Sequence, residues 1–121
     1  MARGVDADTV EEYLDRIGEP FGPALTTVRD RIMVIIPDAE QVISYRVPTF
    51  KVGGQSVVGL SATAKDCSLL LMSPPAAAEL AGTLSEGSIT GATLHFPPSA
   101  PLGEETLRAV LAVRLRELGV S

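Results

Sequence analysis

Cys67 and His95 are the only cysteine and histidine among 121 residues, so they bound the nucleophilic and metal chemistry open to the chain. A thiolate–imidazole pair would need them on adjacent strands and on one face, with a third residue to orient the imidazole. No such residue is signalled. The plainer reading makes Cys67 a small buried hydrophobe and His95 an exposed strand residue. One cysteine with one histidine cannot build a Cys/His zinc site, and one cysteine cannot close an internal disulfide. A Ser-His-Asp hydrolase of the nucleophile-elbow type needs Gly-x-Ser-x-Gly, which does not occur. Gly53-Gly54 lacks the flanking pattern of a phosphate loop and reads as a turn.

Two other clusters carry chemistry. Asp8, Glu11, Glu12 and Asp15 share an arc of about 100° on a predicted first helix. Such a row suits a hard cation held weakly, with ferric iron the best candidate because it favours oxygen donors. Its ordinary reading is a solvated helix face. The second cluster is Tyr45, Arg46, Pro48, Thr49 and Phe50. Two hydroxyls and a guanidinium beside a proline-fixed bend suit a small anionic ligand or a protein partner. Thr93 and His95, from a later strand, are candidates for the same lining. The structural alternative makes Tyr45 and Phe50 core aromatics, because only five aromatics are available to fill the core, and makes Pro48 the fixer of a strand crossover.

The elements that must position these residues are legible from periodicity. Val10, Tyr13, Leu14 and Ile17 recur at helical spacing, with Asp8 and Glu11 as a capping-box pair and Gly18 as the stop. A second helix is predicted from about Pro23, burying Leu25, Val28, Ile32 and Ile35 and stopped by Pro37. The period then changes. Val42 to Tyr45 reads as a strand ended by Arg46-Val47-Pro48, and Thr49 to Val52 as the next. Gly53-Gly54 turns the chain into a strand over Gln55 to Ser61, and Cys67 to Met72 follows as a central one. Ser73 caps a short helix over Ala76 to Ala81. Ser85 to Gly91 reads as loop, and Thr93 to Phe96 alternates, with Leu94 and Phe96 on one side and Thr93 and His95 on the other. The last helix is predicted over Glu104 to Leu118, with Leu107, Val110, Leu111 and Leu118 inward and Gly119 as its cap. Arginines 108, 114 and 116 complement its dipole. Two-residue turns make the main sheet antiparallel. The class is α+β, a two-layer sandwich with a mainly antiparallel sheet covered on one face by helices.

Composition narrows the function classes. At this length one domain is expected, spanning 1–121 with its core over about 8–118. Fifteen acidic against ten basic residues give a formal charge of −5, which argues against nucleic acid as partner. The start, Met1-Ala2-Arg3-Gly4-Val5-Asp6, has no apolar run of the signal-peptide kind. No stretch approaches the roughly 20 apolar residues of a membrane span. With a free cysteine, these features predict a cytoplasmic protein with no membrane partner.

The segment Ile43-Ser44-Tyr45-Arg46-Val47-Pro48-Thr49-Phe50-Lys51 resembles the central signature of the YdhG-like domain family, roughly Ile-Ser-Tyr-x-Met-Pro-Thr-Phe. Val47 stands at the methionine position. Val10-Glu11-Glu12-Tyr13-Leu14 resembles the family's first helix, Ile36-Pro37-Asp38-Ala39-Glu40 the stretch before the signature, and Gly91 to Pro97 its late strand. The resemblance covers about residues 8 to 118. It implies a small bacterial α+β domain, sometimes described as frataxin-like, mostly of unknown function. One branch is an iron chaperone that hands iron to cluster and haem assembly.

Three readings of function follow. The first is a non-catalytic binding module, without cofactor, that takes a small molecule or a protein, a second copy of the chain included. The second is an iron chaperone using the acidic helix, with weakly bound iron. The third is a small enzyme with an unrecognised site. A cleft shared by Tyr45, Arg46 and His95 would favour the first, converging carboxylates the second, and a Cys67–His95 contact the third.

Overall fold

The computed structural model describes residues 5–120, so Met1 to Gly4 of the amino-terminal stretch lie outside the described residues. Helix α1 (Val10–Arg16) is capped by Thr9, whose hydroxyl accepts from the Glu12 amide at 3.1 Å. Glu12 Oε1 in turn accepts from the Asp8 amide at 3.0 Å. The capping pair is therefore Thr9 and Glu12, one residue later than the predicted Asp8 and Glu11. The reason is local: Thr9 has the extended backbone that an N-cap requires, and Asp8 precedes it outside the helix.

Helix α2 (Phe21–Ile35) starts two residues before the predicted Pro23, because Phe21 is itself buried in its first turn. Leu25, Val28 and Ile32 are fully buried, as their spacing predicts, and the helix stops before Pro37. A Cβ on Gly22 would lie 2.6 Å from the Leu14 carbonyl oxygen, so the two helices approach closely only because residue 22 is glycine.

Six strands follow: β1 (Glu40–Ser44), β2 (Val47–Val52), β3 (Gln55–Ala62), β4 (Cys67–Leu70), β5 (Ser88–Thr90) and β6 (Thr93–Phe96). They form one antiparallel sheet in the order β1-β2-β3-β4-β6-β5. Helix α3 (Pro74–Leu80) separates β4 from β5 and is capped by the Ser73 hydroxyl as predicted. Helix α4 (Glu104–Leu118) ends the fold with Gly119 in the left-handed region.

Three expectations fail here. Pro48 fixes no crossover; it lies inside β2, paired with Ile43. The turn before it is Tyr45-Arg46 alone, so β2 begins at Val47 rather than Thr49. Residues 85–91 are not all loop, because Ser88-Ile89-Thr90 pairs with β6. A three-residue strand with a single apolar side chain leaves no period to read.

Across the middle of the sheet, Leu60, Leu69 and Leu94 are register partners and fully buried. They share one hydrophobic cluster with Val10, Tyr13 and Leu14 of α1, Leu25, Val28 and Ile32 of α2, and Leu107, Val110 and Leu111 of α4. The next row is polar: Ser61, Ser68, His95 and Ser88 are successive partners across β3, β4, β6 and β5.

The core stripe of α4 continues to Arg114 instead of Leu118, which is only half-buried. Arg114 is 5% exposed. Its Nε donates to the Val57 carbonyl at 2.8 Å and its Nη2 to the Ser56 carbonyl at 2.9 Å. Its Nη1 pairs with Glu117, which also accepts from the Ser73 hydroxyl at 2.6 Å. One guanidinium thus ties α4 to β3, and through Glu117 to the cap of α3. At the other end of α4, the N-cap Gly103 has no side chain to offer. Glu86 substitutes, its Oε2 accepting from the Gly103 amide at 2.8 Å and from the Thr106 hydroxyl.

Candidate functional site

The signature segment folds as the β1–β2 hairpin, and its turn decides which of its residues are accessible. Tyr45 and Arg46 both have positive φ, 50° and 69°, the conformation of a type I′ two-residue turn. Such turns favour Asn-Gly, because most side chains are strained in the left-handed region. Here a tyrosine and an arginine occupy both positions. The Tyr45 ring is not in the core: the residue is 98% exposed. Fullness of the core does not require it, since Tyr13, Phe21, Phe50 and Phe96 are the aromatics that fill it. Arg46 has 70% of its side chain exposed and pairs at 3.0 Å with Asp6, itself 94% exposed.

The rest of the segment turns inward. Pro48 and Phe50 are buried, and Thr49 is buried with its hydroxyl donated to the Val47 carbonyl at 3.1 Å. These three shape and hold the hairpin, and of the five candidates only Tyr45 and Arg46 are presented to solvent.

Thr93 and His95 lie elsewhere. β6 stands three strand positions from β2, about 15 Å at the usual strand spacing. Both residues are half-buried. His95 Nδ1 lies 3.4 Å from the Ser68 hydroxyl, and the residue borders a hollow of about 270 Å³ with Asp66, Gly87, Ser88, Phe96 and Pro97. Neither Tyr45 nor Arg46 lines that hollow, so the cleft expected to join them to His95 is not formed.

Cys67 does not meet His95 either. Its register partner is Phe96, and the residue next to Phe96 points to the opposite face. Burial first, then the nearby Asp66 charge, pushes the thiol up to about 12, which disfavours the thiolate form a nucleophile needs. Ser68 is 3% exposed beneath His95. Burial also raises the Tyr13 phenol, partly offset by the neighbouring Ser61 hydroxyl. The two hydroxyls do not meet in hydrogen-bonding geometry, and the Tyr13 oxygen is buried without a partner.

The four acids of the first helix do not converge. Asp8 precedes the helix; Glu12 is engaged with the Asp8 amide and with Arg16 at 3.2 Å; Glu11 pairs with Arg29 at 3.3 Å. Asp15 borders a separate groove between α1 and α2 with Gly18, Glu19 and Thr26. Among the described residues no group of three His, Cys, Asp or Glu side chains is placed to share a metal ion. No described helix is long and apolar enough to cross a membrane.

Sequence reading passed over one surface feature. Ile35, Ile36, Pro37, Asp38, Ala39, Val52 and Leu115 line a hollow of about 410 Å³ where α2 hands over to β1. Its signal was the apolar run Ile35-Ile36-Pro37 continuing past the end of the α2 stripe.

No protein-family model matches the sequence, and no curated protein matches it. Among solved structures, the crystal structure of a DUF1801-family protein, YdhG of Bacillus subtilis, matches with a TM-score of 0.82. The match covers 92% of this chain and 91% of that one at 18% identity. At that identity the likeness speaks for architecture: the chain has the YdhG fold, as its signature segment implies.

Proposed function

We propose that this YdhG-like domain is a non-catalytic binding module that engages a small molecule or protein partner through the Tyr45-Arg46 tip. One observation carries this reading: a two-residue turn with both residues at positive φ holds a tyrosine that is 98% exposed. Each such backbone position costs roughly 1–3 kcal/mol, and at Tyr45 no packing inside the fold offsets it, because the ring is exposed. Tyrosine and arginine are also the residue types that dominate binding hot spots. The buried, high-pKa Cys67 thiol and the burial of Ser68 support the non-catalytic part.

Native mass spectrometry of protein purified gently from its own host tests the reading. Wild type should retain a ligand or partner that a Tyr45→Ala, Arg46→Ala double variant loses. Equal retention by both proteins would move the site away from the tip.

A further inference from the structure

We propose that the partner is a second copy of this chain, docked edge to edge along β1 so that Tyr45 of each copy meets the Ile36-Pro37-Ala39 hollow of the other. The proposal rests on the tip reading above and names what the tip engages.

The first support is an open sheet edge. β1 is an outermost strand, and all five of its residues pair with β2 on one side. Among the described residues no backbone hydrogen bond from another element reaches residues 40–44 on the other side. Edge strands are usually blunted by proline, lysine, a bulge or brevity. The opposite edge, β5, has only three residues. β1 is Glu-Gln-Val-Ile-Ser, and its single charge sits at its start.

The hairpin fixes which groups that edge offers. Ser44 and Val47 flank a two-residue turn, and such a closing pair exchanges both its backbone bonds. Alternation then directs the backbone groups of Gln41 and Ile43 to the open side. Two β1 strands can therefore pair antiparallel about a two-fold at Val42, Gln41 of one copy bonding Ile43 of the other. No like charges are opposed along this pairing.

The same register brings complementary features together at both ends. Ala39 of one copy falls level with Tyr45 of the other, and Asp38 level with Arg46. Ala39 and Asp38 line the 410 Å³ hollow, whose other walls are Ile35, Ile36, Pro37, Val52 and Leu115. An exposed aromatic ring is thus set against an apolar hollow, and an exposed guanidinium against the carboxylate at its rim. A two-fold makes each contact twice, as a self-complementary interface demands. The sheet would continue across the axis.

The test uses the full chain and sedimentation equilibrium. Wild type should be dimeric. Arg46→Asp and Asp38→Arg should each weaken the dimer by about tenfold or more, because each variant faces like charge twice. An equimolar mixture of the two variants should regain near-wild-type association. In the mixed dimer the introduced aspartate of one copy faces the introduced arginine of the other, and the native Arg46–Asp38 contact is kept at the opposite end. That recovery also shows that both variants fold. A wild type that stays monomeric up to its solubility limit overturns the proposal. So does a dimer indifferent to both substitutions, or single-variant losses that mixing does not restore. If wild type is monomeric yet retains a partner lost by the Tyr45→Ala, Arg46→Ala variant, the tip reading stands and the second-copy assignment alone fails.

Discussion

The clasp around Arg114 and the tip around Arg46 use the same side chain in opposite ways. Arg114 is almost fully buried, and its guanidinium meets two fixed carbonyls on β3 and one carboxylate on its own helix. Arg46 stands in solvent with a single ion pair to an even more exposed aspartate. The clasp costs the backbone nothing, since Arg114 sits in a regular helix. The tip holds two residues in a conformation that resists side chains. A region that directs its donors inward maintains the fold. A region that carries strain and turns its donors to solvent contributes little to the fold, which is why the binding role is proposed for it.

Breaking the clasp should have the largest effect. Arg114→Met keeps the apolar stem but strands the Ser56 and Val57 carbonyls and leaves Glu117 without its guanidinium. A loss of about 3 kcal/mol is expected in urea unfolding. Arg46→Ala at the same protein concentration, dilute enough to be monomeric, should stay within about 0.5 kcal/mol of wild type. A larger loss at Arg46 than at Arg114 would invert the comparison.

Relieving the tip should sharpen it in the other direction. Replacing Tyr45-Arg46 by Asn-Gly gives the turn the residues its backbone prefers. The dilute monomer should become more stable by about 1 kcal/mol. Binding through the tip should be lost in the same variant. A loss of stability would mean that the native turn carries no strain.

The smallest effect expected is a pH dependence confined to the clasp. The Ser73 hydroxyl first, and Arg114 second, hold the Glu117 carboxyl below its ordinary value of 4.5. A carboxyl depressed in the folded state adds stability above its unfolded pKa, and that stability is lost as pH falls through the folded value. Wild type should therefore lose stability below about pH 4.5 through this group, while Glu117→Gln lacks that component. Parallel thermal melts of the two proteins down the acid range read the difference. Identical acid slopes would remove Glu117 from the clasp.

Much of this molecule is legible in its sequence where period and turn chemistry agree. The bounds of α4 follow from the Leu107, Val110 and Leu111 stripe and the Gly119 cap, and Gly53-Gly54 turns β2 into β3. The alternation of Leu94 and Phe96 against Thr93 and His95 is the burial pattern of β6. Other features have no local signal. Tyr45-Arg46 carries none of the glycine or asparagine that marks a type I′ turn, so the tyrosine read as core. The burial of Arg114 was implied by its position three residues after Leu111 on the apolar stripe, but its charge argued for solvent. As for the candidate site, sequence picks out Tyr45 and Arg46 as residues of interest. It cannot separate them from Thr49 and Phe50, which share the motif but face the interior.

The Glu86 carboxylate at the start of α4 links two segments that are distant along the chain. The first turn of α4 has no cap of its own, so its amide at Gly103 is satisfied only when the 84–90 segment is in place. Opening either piece alone therefore forfeits the hydrogen bonds from Gly103 and Thr106 to Glu86. In hydrogen-exchange terms, the β5 hairpin and the first turn of α4 are expected to open together, although more than a dozen residues separate Glu86 from Gly103.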